Sequence, residues 1–97
     1  MLEDISTEQV ERLLERTLGA LERYDREHQA QLIDTIRCYF ACGHNAPAAA
    51  RELGVHVNTV YQRLERIDHV LDSSAWRSPT GGLEVQMALQ FHRLLRR

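Results

Sequence analysis

A few small and apolar residues at fixed spacing constrain the fold of this chain most strongly. Ala50 lies four residues before Gly54, Val55 follows the glycine, and Val60 and Leu64 lie six and ten positions beyond it. The alanine lets two helices cross closely, and the glycine permits the positive φ that ends a helix in a tight turn. The two later apolar residues pack a second helix on the first. This spacing predicts a helix-turn-helix.

The N-terminal half carries apolar residues at the helical period. Ser6 or Thr7, followed by acidic residues, signals the start of a first helix, and residues 25–27 either end it or continue it. A second helix is predicted to end at Gly43. Asn45 is then the predicted N-cap of a short third helix. The stripe of the first helix consists of Val10, Leu13, Leu14, Leu18, Leu21 and Tyr24.

The C-terminal half predicts two further helices. One begins near His56 or Val57 and ends around residues 72–74, and a loop containing Trp76 follows it. No segment alternates as a strand would. The fold class is therefore all-α, a compact bundle of about five helices. On the last helix, the residues predicted to form the inner face are Leu83, Met87, Phe91 and Leu94.

The domain organisation follows from these helices. Residues 1–26 are assigned to an N-terminal amphipathic helix and residues 27–97 to the helix-turn-helix domain. The first helix either closes the core over the domain or pairs with a second copy, and core packing is the favoured interpretation. Dimerisation through this helix or the last one is the alternative, because helix-turn-helix proteins usually bind two half-sites as dimers.

Charge is distributed unevenly along the chain. Residues 1–34 hold nine acidic residues against four arginines, a net charge of −5. Residues 35–97 hold eight arginines against five acidic residues, a net charge of +3. The basic half, which contains the helix-turn-helix, suits a phosphate backbone. Because +3 is modest, we expect weak non-specific binding and a homodimer that brings two copies to the DNA.

Several other classes of function find no support. The chain has 97 residues, too few for a large catalytic cleft, and lacks a carboxylate pair, a nucleophile arrangement or a Gly-rich phosphate loop, so no enzyme is predicted. Cys38, Cys42 and His44 fall one ligand short of a zinc site, so the cysteines are interpreted as buried thiols and no metal or cofactor is expected. No apolar run approaches a membrane span and no signal peptide is evident, so a cytoplasmic location is expected.

One face of the predicted fourth helix is left for a partner. The first turn of a recognition helix penetrates deepest into a major groove, so the candidates for contacts with base edges are Asn58, Tyr61 and Gln62. Asparagine and glutamine can bond adenine bidentately, and a tyrosine or the neighbouring Val57 can contact a thymine methyl. His56 is interpreted as the N-cap or a turn residue rather than as a base reader.

Phosphate contacts are predicted beside these residues. Thr59, Arg63 and Arg66 are the side-chain candidates, and Asn45 with the free N–H groups of its helix is a further one. Each has an alternative role. Thr59 could cap its helix, and Tyr61 could cover the edge of the core. The arginines could instead pair with carboxylates on the same surface, namely Glu52, Glu65 and Asp68.

Three blocks of sequence together resemble the C-terminal helix-turn-helix domain of PucR-type transcriptional regulators, the group that includes the sugar-diacid regulators. They cover residues 32–40, 56–67 and 83–89, and residues 21–25 resemble the family's approach to the domain. Between the first two blocks the matching residues are Asn45, Ala49, Ala50 and Leu53. The middle block has the His-x-Asn-Thr start and the Arg-Leu-x-Arg-Ile continuation, and the last is rich in Leu, Gln and Ala. The likeness extends over roughly residues 20–95. The alanine, glycine, valine and leucine frame also resembles that of the nucleoid protein Fis.

The resemblance implies a sequence-specific, double-stranded-DNA-binding domain at the end of a longer regulator whose N-terminal portion senses a signal. Many family members carry basic residues where this chain has Val57 and Tyr61, which implies that part of the electrostatic contact is missing here. The competing hypothesis is a helical protein-interaction or dimerisation module without DNA affinity.

Overall fold

A computed structural model describes residues 6–95, and five α-helices without any strand account for most of them. A single turn of 3-10 helix at Ala75–Arg77 lies between the fourth and fifth helices. The prediction of an all-α bundle of five helices is confirmed. The helices are α1 Thr7–His28, α2 Leu32–Ala41, α3 Ala46–Leu53, α4 Val57–Leu71 and α5 Leu83–Leu95.

The ends of α1 show how local chemistry sets its length. Ser6 is the N-cap: its hydroxyl accepts a hydrogen bond from the Gln9 N–H, and the Gln9 side chain accepts from the Ser6 N–H. At the other end the helix continues through residues 25–27, so it extends past the predicted division at residue 26. The Asp25 carboxylate accepts hydrogen bonds from the backbone N–H groups of Leu32 and Ile33, at 2.7 and 3.0 Å. This carboxylate thereby caps the start of α2 from the end of α1.

The core is formed jointly by α1 and the helices that follow it. The stripe of α1 lies inward: Val10, Leu14, Leu18 and Leu21 are buried, and Leu13 and Tyr24 are partly buried against them. α1 packs against α2, α4 and α5, and α3 packs against α2 and α4. None of the described helices is both long and apolar enough to cross a lipid bilayer. The large apolar side chains with almost no exposed surface include Leu14, Leu18, Leu21, Leu32, Ile36, Val60, Leu64 and Ile67.

The predicted inner face of α5 is wrong. Leu83, Met87 and Leu94 are 63%, 55% and 65% exposed, and Phe91 is only partly buried against the core. The face that packs inward, chiefly on α1, is formed instead by Val85, Ala88, Leu89 and His92. α5 carries apolar residues on two sides, and the side with the small alanine allows the closer helix approach.

A polar cluster fixes how α5 sits against its neighbours. His92 Nε2 lies 3.3 Å from a carboxylate oxygen of Glu22 on α1, and both side chains are mostly buried. Arg37 Nη2 on α2 lies 3.1 Å from His92 Nδ1. Because arginine can only donate, Nδ1 must accept and Nε2 carries the proton towards Glu22. This cluster stabilises the rotation of α5 that buries His92.

The loop after α4 is anchored by a buried tryptophan. Trp76 is 3% exposed, and its indole N–H donates to Asp68 at 2.8 Å. Arg77 donates to the same carboxylate at 2.9 and 3.1 Å. The segment predicted to be a plain loop therefore contains a short 3-10 turn that is hydrogen-bonded to α4 and whose tryptophan ring contacts α2.

The two cysteines are half-buried free thiols rather than fully buried ones. Cys38 Sγ lies 3.7 Å from the Ala49 carbonyl oxygen, and burial raises the pKa of the Cys38 thiol. The neutral thiol is therefore favoured at this contact between α2 and α3. No group of three or more potential metal-ligating side chains occurs within residues 6–95.

Candidate nucleic-acid interface

The turn between α3 and α4 has the geometry that the spacing predicts. Gly54 ends α3 with a φ of +70°, and the Val55 N–H donates to the Ala50 carbonyl at 3.0 Å. Ala49 and Ala50 are buried where the helices cross. Any other residue at position 54 would have to adopt this left-handed conformation, which residues with a side chain rarely do. The prediction of a helix-turn-helix at this position is confirmed.

Both helices of the motif begin at side-chain caps. Asn45 Oδ1 accepts from the Ala48 N–H at 3.0 Å, as predicted for an N-cap. His56 Nδ1 accepts from the Asn58 N–H at 3.0 Å, which confirms that His56 is the N-cap of α4. This bond uses the unprotonated Nδ1 and turns the other ring nitrogen away from the backbone. The two caps fix where α3 and α4 begin. The N-terminus of α4 lies at the turn, and that of α3 lies at the opposite end of α3.

The three base-edge candidates lie on the solvent-facing side of α4. Asn58 and Gln62 are exposed, and Tyr61 is 50% exposed, so the tyrosine does not serve mainly as a cover for the core. The opposite side of the helix is buried in the core through Val60 and Leu64. The geometry required of a recognition helix is therefore present, and the contacts of these side chains with DNA stay a prediction.

The two neighbouring candidates are less accessible. Val57 is partly buried and packs against the core, so only part of its side chain is available to a thymine methyl. Thr59 is also partly buried, and its backbone N–H donates to the carbonyl of His56 at 3.0 Å. The cap of α4 is His56 and not Thr59. The Thr59 side chain lies instead at a groove along α4.

The two arginine candidates are held in different ways. Arg63 Nη1 donates to the hydroxyl of Thr35 on α2 at 3.2 Å, so its guanidinium is drawn back towards the core. The Cζ atom of Arg66 lies 5.8 Å from the centroid of the Tyr24 ring on α1. Within residues 6–95 neither arginine makes an ion pair with the carboxylates proposed as alternatives, and Asp68 pairs with Arg77 at 2.9 Å.

The sequence pattern did not indicate the groove that these arginines line. It has a volume of about 770 Å³ and separates α4 from the end of α1 and the α1–α2 loop. Tyr24 was assigned to the apolar stripe of α1 and to no site, and Ala30 was assigned no role. Their position opposite α4 depends on how α1 crosses the domain, which no local pattern encodes. The lining residues to which the sequence assigned no part in a site are Tyr24, Ala30 and Leu32.

Comparison with known proteins agrees with this geometry. The family model of the PucR C-terminal helix-turn-helix domain matches residues 32–91, more than half of the chain. The DNA-binding transcriptional activator AdeR of Bacillus subtilis (strain 168) is 36% identical over 56 residues, which are 58% of this chain and 13% of that protein. No solved structure matches the chain significantly. The chain therefore belongs to the PucR C-terminal helix-turn-helix domain family.

Proposed function

We propose that α4 enters the major groove of duplex DNA and reads bases there, as the DNA-contacting part of a transcriptional regulator. Membership of the family supports DNA binding in transcription regulation and points to a binding role rather than catalysis. The observation that carries the proposal is the exposed side of α4, where Asn58, Tyr61 and Gln62 stand at the capped start of the helix. A helix placed in this way can present its first turns to base edges.

The proposal gives each candidate a chemical role. The side-chain amides of Asn58 and Gln62 bond adenine edges, and Tyr61 contacts a thymine methyl or a base edge beside them. The Asn45 side-chain NH₂ and the Ala46 N–H donate to a phosphate at the start of α3, since Pro47 has no N–H and the Ala48 N–H is already bonded to Asn45 Oδ1. Arg63, held back by Thr35, contributes mainly charge near the backbone. The rest of the proposed interface consists of Arg66, Thr59, Val57 and the outer nitrogen of His56.

Salt dependence of binding tests this function. In a gel-shift assay, the 97-residue chain is titrated into two duplexes of the same length at about 50 and 200 mM salt. One duplex is selected from a random pool for binding, and the other is a scrambled sequence. Four released counterions would weaken binding about a hundredfold between these conditions. We expect the selected duplex to bind more tightly at both. If neither duplex is retarded at low salt and high protein concentration, the interaction module without DNA affinity is the better description.

We also propose that two copies of the chain bind one operator as a homodimer. Leu83, Met87 and Leu94 lie within about 40° of one another around α5 and form an exposed apolar stripe. The opposite side of α5 is used to pack on α1. If two copies pair about a two-fold axis through this stripe, the stripes of both copies are covered. The second copy would also add a second set of phosphate contacts, which the modest net charge of +3 over residues 35–97 calls for.

Introducing a charge into the stripe tests the dimer. We expect Met87→Glu to shift the association of the chain towards monomer by at least tenfold, because the carboxylate would be buried without a partner. Sedimentation equilibrium without DNA measures this. Tyr61→Glu is the matched control, since it places the same charge on another exposed apolar side chain, on α4. Equal association of the wild type and the Met87 variant would exclude this stripe as the dimer contact.

The remaining proposals concern the protein that contains this domain. The chain spans 13% of the length of AdeR, the curated relative that it matches. We propose that the domain is the DNA-binding end of a longer cytoplasmic regulator with an N-terminal sensor portion. The much greater length of this relative, a DNA-binding transcriptional activator, supports the proposal.

A further inference from the structure

The groove between the end of α1 and α4 has a chemistry of its own. It is open to solvent, and its volume is about 770 Å³. Arg63, Arg66 and His69 line it from α4, and Glu65 is the one carboxylate among the described residues that line it. The side chains that line the opposite wall are uncharged, and the Asp25 carboxylate next to them is bonded to the Leu32 N–H at 2.7 Å. With two arginines and one carboxylate, the described lining side chains carry a small positive net charge, so the groove is suited to a negatively charged occupant that runs alongside α4.

One cation of this groove is positioned by α1. The Arg66 guanidinium packs over the Tyr24 ring at 5.8 Å, and the Tyr24 ring in turn contacts the ring of His28, with centroids 4.3 Å apart. A guanidinium that rests on an aromatic ring keeps the N–H groups at its edge available for phosphate oxygens. Tyr24 is thus a positioning residue for Arg66.

The dimensions of DNA identify the occupant. A helix with its side chains is about 10–12 Å across and the major groove about 12 Å wide, so a seated helix has one sugar-phosphate strand on each flank. One flank of α4 carries α3 with its capped N-terminus. The other flank is the cationic groove. If α4 docks in the major groove as proposed above, this groove lies where the second strand passes.

We propose that the groove receives the second sugar-phosphate strand of the bound DNA, with the end of α1 and the α1–α2 loop as its outer wall. The inference rests on the proposed major-groove docking of α4 and extends it to an outer wall whose residues Tyr24 and Ala30 lie before the matched family segment, residues 32–91. The strand meets the arginine held by Tyr24 on one side and the loop that contains Ala30 on the other. α1 then contributes to DNA affinity as well as to the core.

A charge placed on the neutral wall tests this placement. We expect Ala30→Lys to tighten binding to a duplex of roughly 30 base pairs by about threefold to tenfold, and Ala30→Glu to weaken it by a similar factor. The slope of log affinity against log salt should become steeper by about 0.9 for the lysine variant, because one more counterion is released. Fluorescence anisotropy with a mixed-sequence duplex measures both, and circular dichroism verifies that each variant is folded.

Charge-matched controls lie at the other end of α1. Glu8→Gln and Arg12→Gln change the net charge by the same amounts at two highly exposed positions. Glu8 is sixteen residues from Tyr24, about 24 Å along the helix and beyond the screening length of roughly 10 Å. These controls should change affinity less than twofold.

The outcomes separate the two proposals. Glu65 is exposed in the groove, so Glu65→Gln should raise the affinity for the duplex as Ala30→Lys does. If Ala30→Lys does not fold, Glu65→Gln takes its place in the test. If the wild type binds DNA but groove and control variants have equal affinities, the strand does not pass through the groove and the docking of α4 still stands. If the wild type does not bind the duplex at all, the proposed function fails, and the groove assignment fails with it.

Discussion

Replacing Leu64 with alanine should destabilise the domain by about 2–5 kcal/mol. Leu64 is 2% exposed and lies among core residues of the bundle, so its loss removes buried apolar surface and leaves a cavity. A domain of this size has a free energy of unfolding of only about 5–15 kcal/mol, so the effect is a large part of the total. Urea unfolding followed by circular dichroism measures the change.

The neighbouring residue gives the matched control. Glu65 follows Leu64 in the same helix but is exposed, and alanine is a good helix former, so Glu65→Ala should change the free energy of unfolding by less than about 0.5 kcal/mol. Similar losses from the two variants would contradict the orientation of α4 described here. The DNA-facing assignment would then lose its basis as well.

Replacing Gln62 with alanine should remove discrimination rather than general affinity. A well-placed amide contributes about 1–3 kcal/mol of preference for its base, which corresponds to a factor of roughly 5–150. We expect the variant to lose that factor between the selected duplex and one altered at a single base pair. Its affinity for a scrambled duplex should change less than about twofold, because phosphate contacts dominate there.

Arg66→Gln is the comparison for the base-reading prediction. It should weaken binding to the selected and scrambled duplexes alike and lower the salt slope by about 0.9, because it removes one phosphate contact. Both variants are on the exposed part of α4, so the difference between them reports their contacts and not their burial. A Gln62 variant that loses affinity equally for every duplex would show that this side chain contacts the backbone instead.

The parts of the structure that the sequence predicted well depend on local rules. Gly54 needs a positive φ, Asn45 and His56 cap the helices that follow them, and Ser6 begins α1. Each of these requires only a few neighbouring residues in the correct order. The rotation of α4 was also predictable, because its apolar residues lie on one side and polar ones on the other.

The parts that the sequence did not predict depend on contacts between distant elements. α5 has apolar residues on two sides, and periodicity alone favoured the wrong side, with Met87 inward. The choice depends on close packing at Ala88 and on the pairing of His92 with Glu22, seventy positions away. Similarly, the pattern of α4 could not show that Arg63 bonds Thr35, since that contact depends on how α2 crosses α4.

The central claim is that the exposed side of α4 is the surface that meets DNA, and mapping of amide chemical shifts by NMR tests it most directly. Adding the selected duplex to labelled protein should perturb most strongly the amides of residues 56–66 and of residues 45, 46 and 48, since Pro47 has no amide N–H. Smaller changes are expected around Tyr24 and Ala30, beside the groove. Perturbations confined to α5 and the first half of α1, with the amides of Asn58 and Gln62 unchanged, would contradict the account.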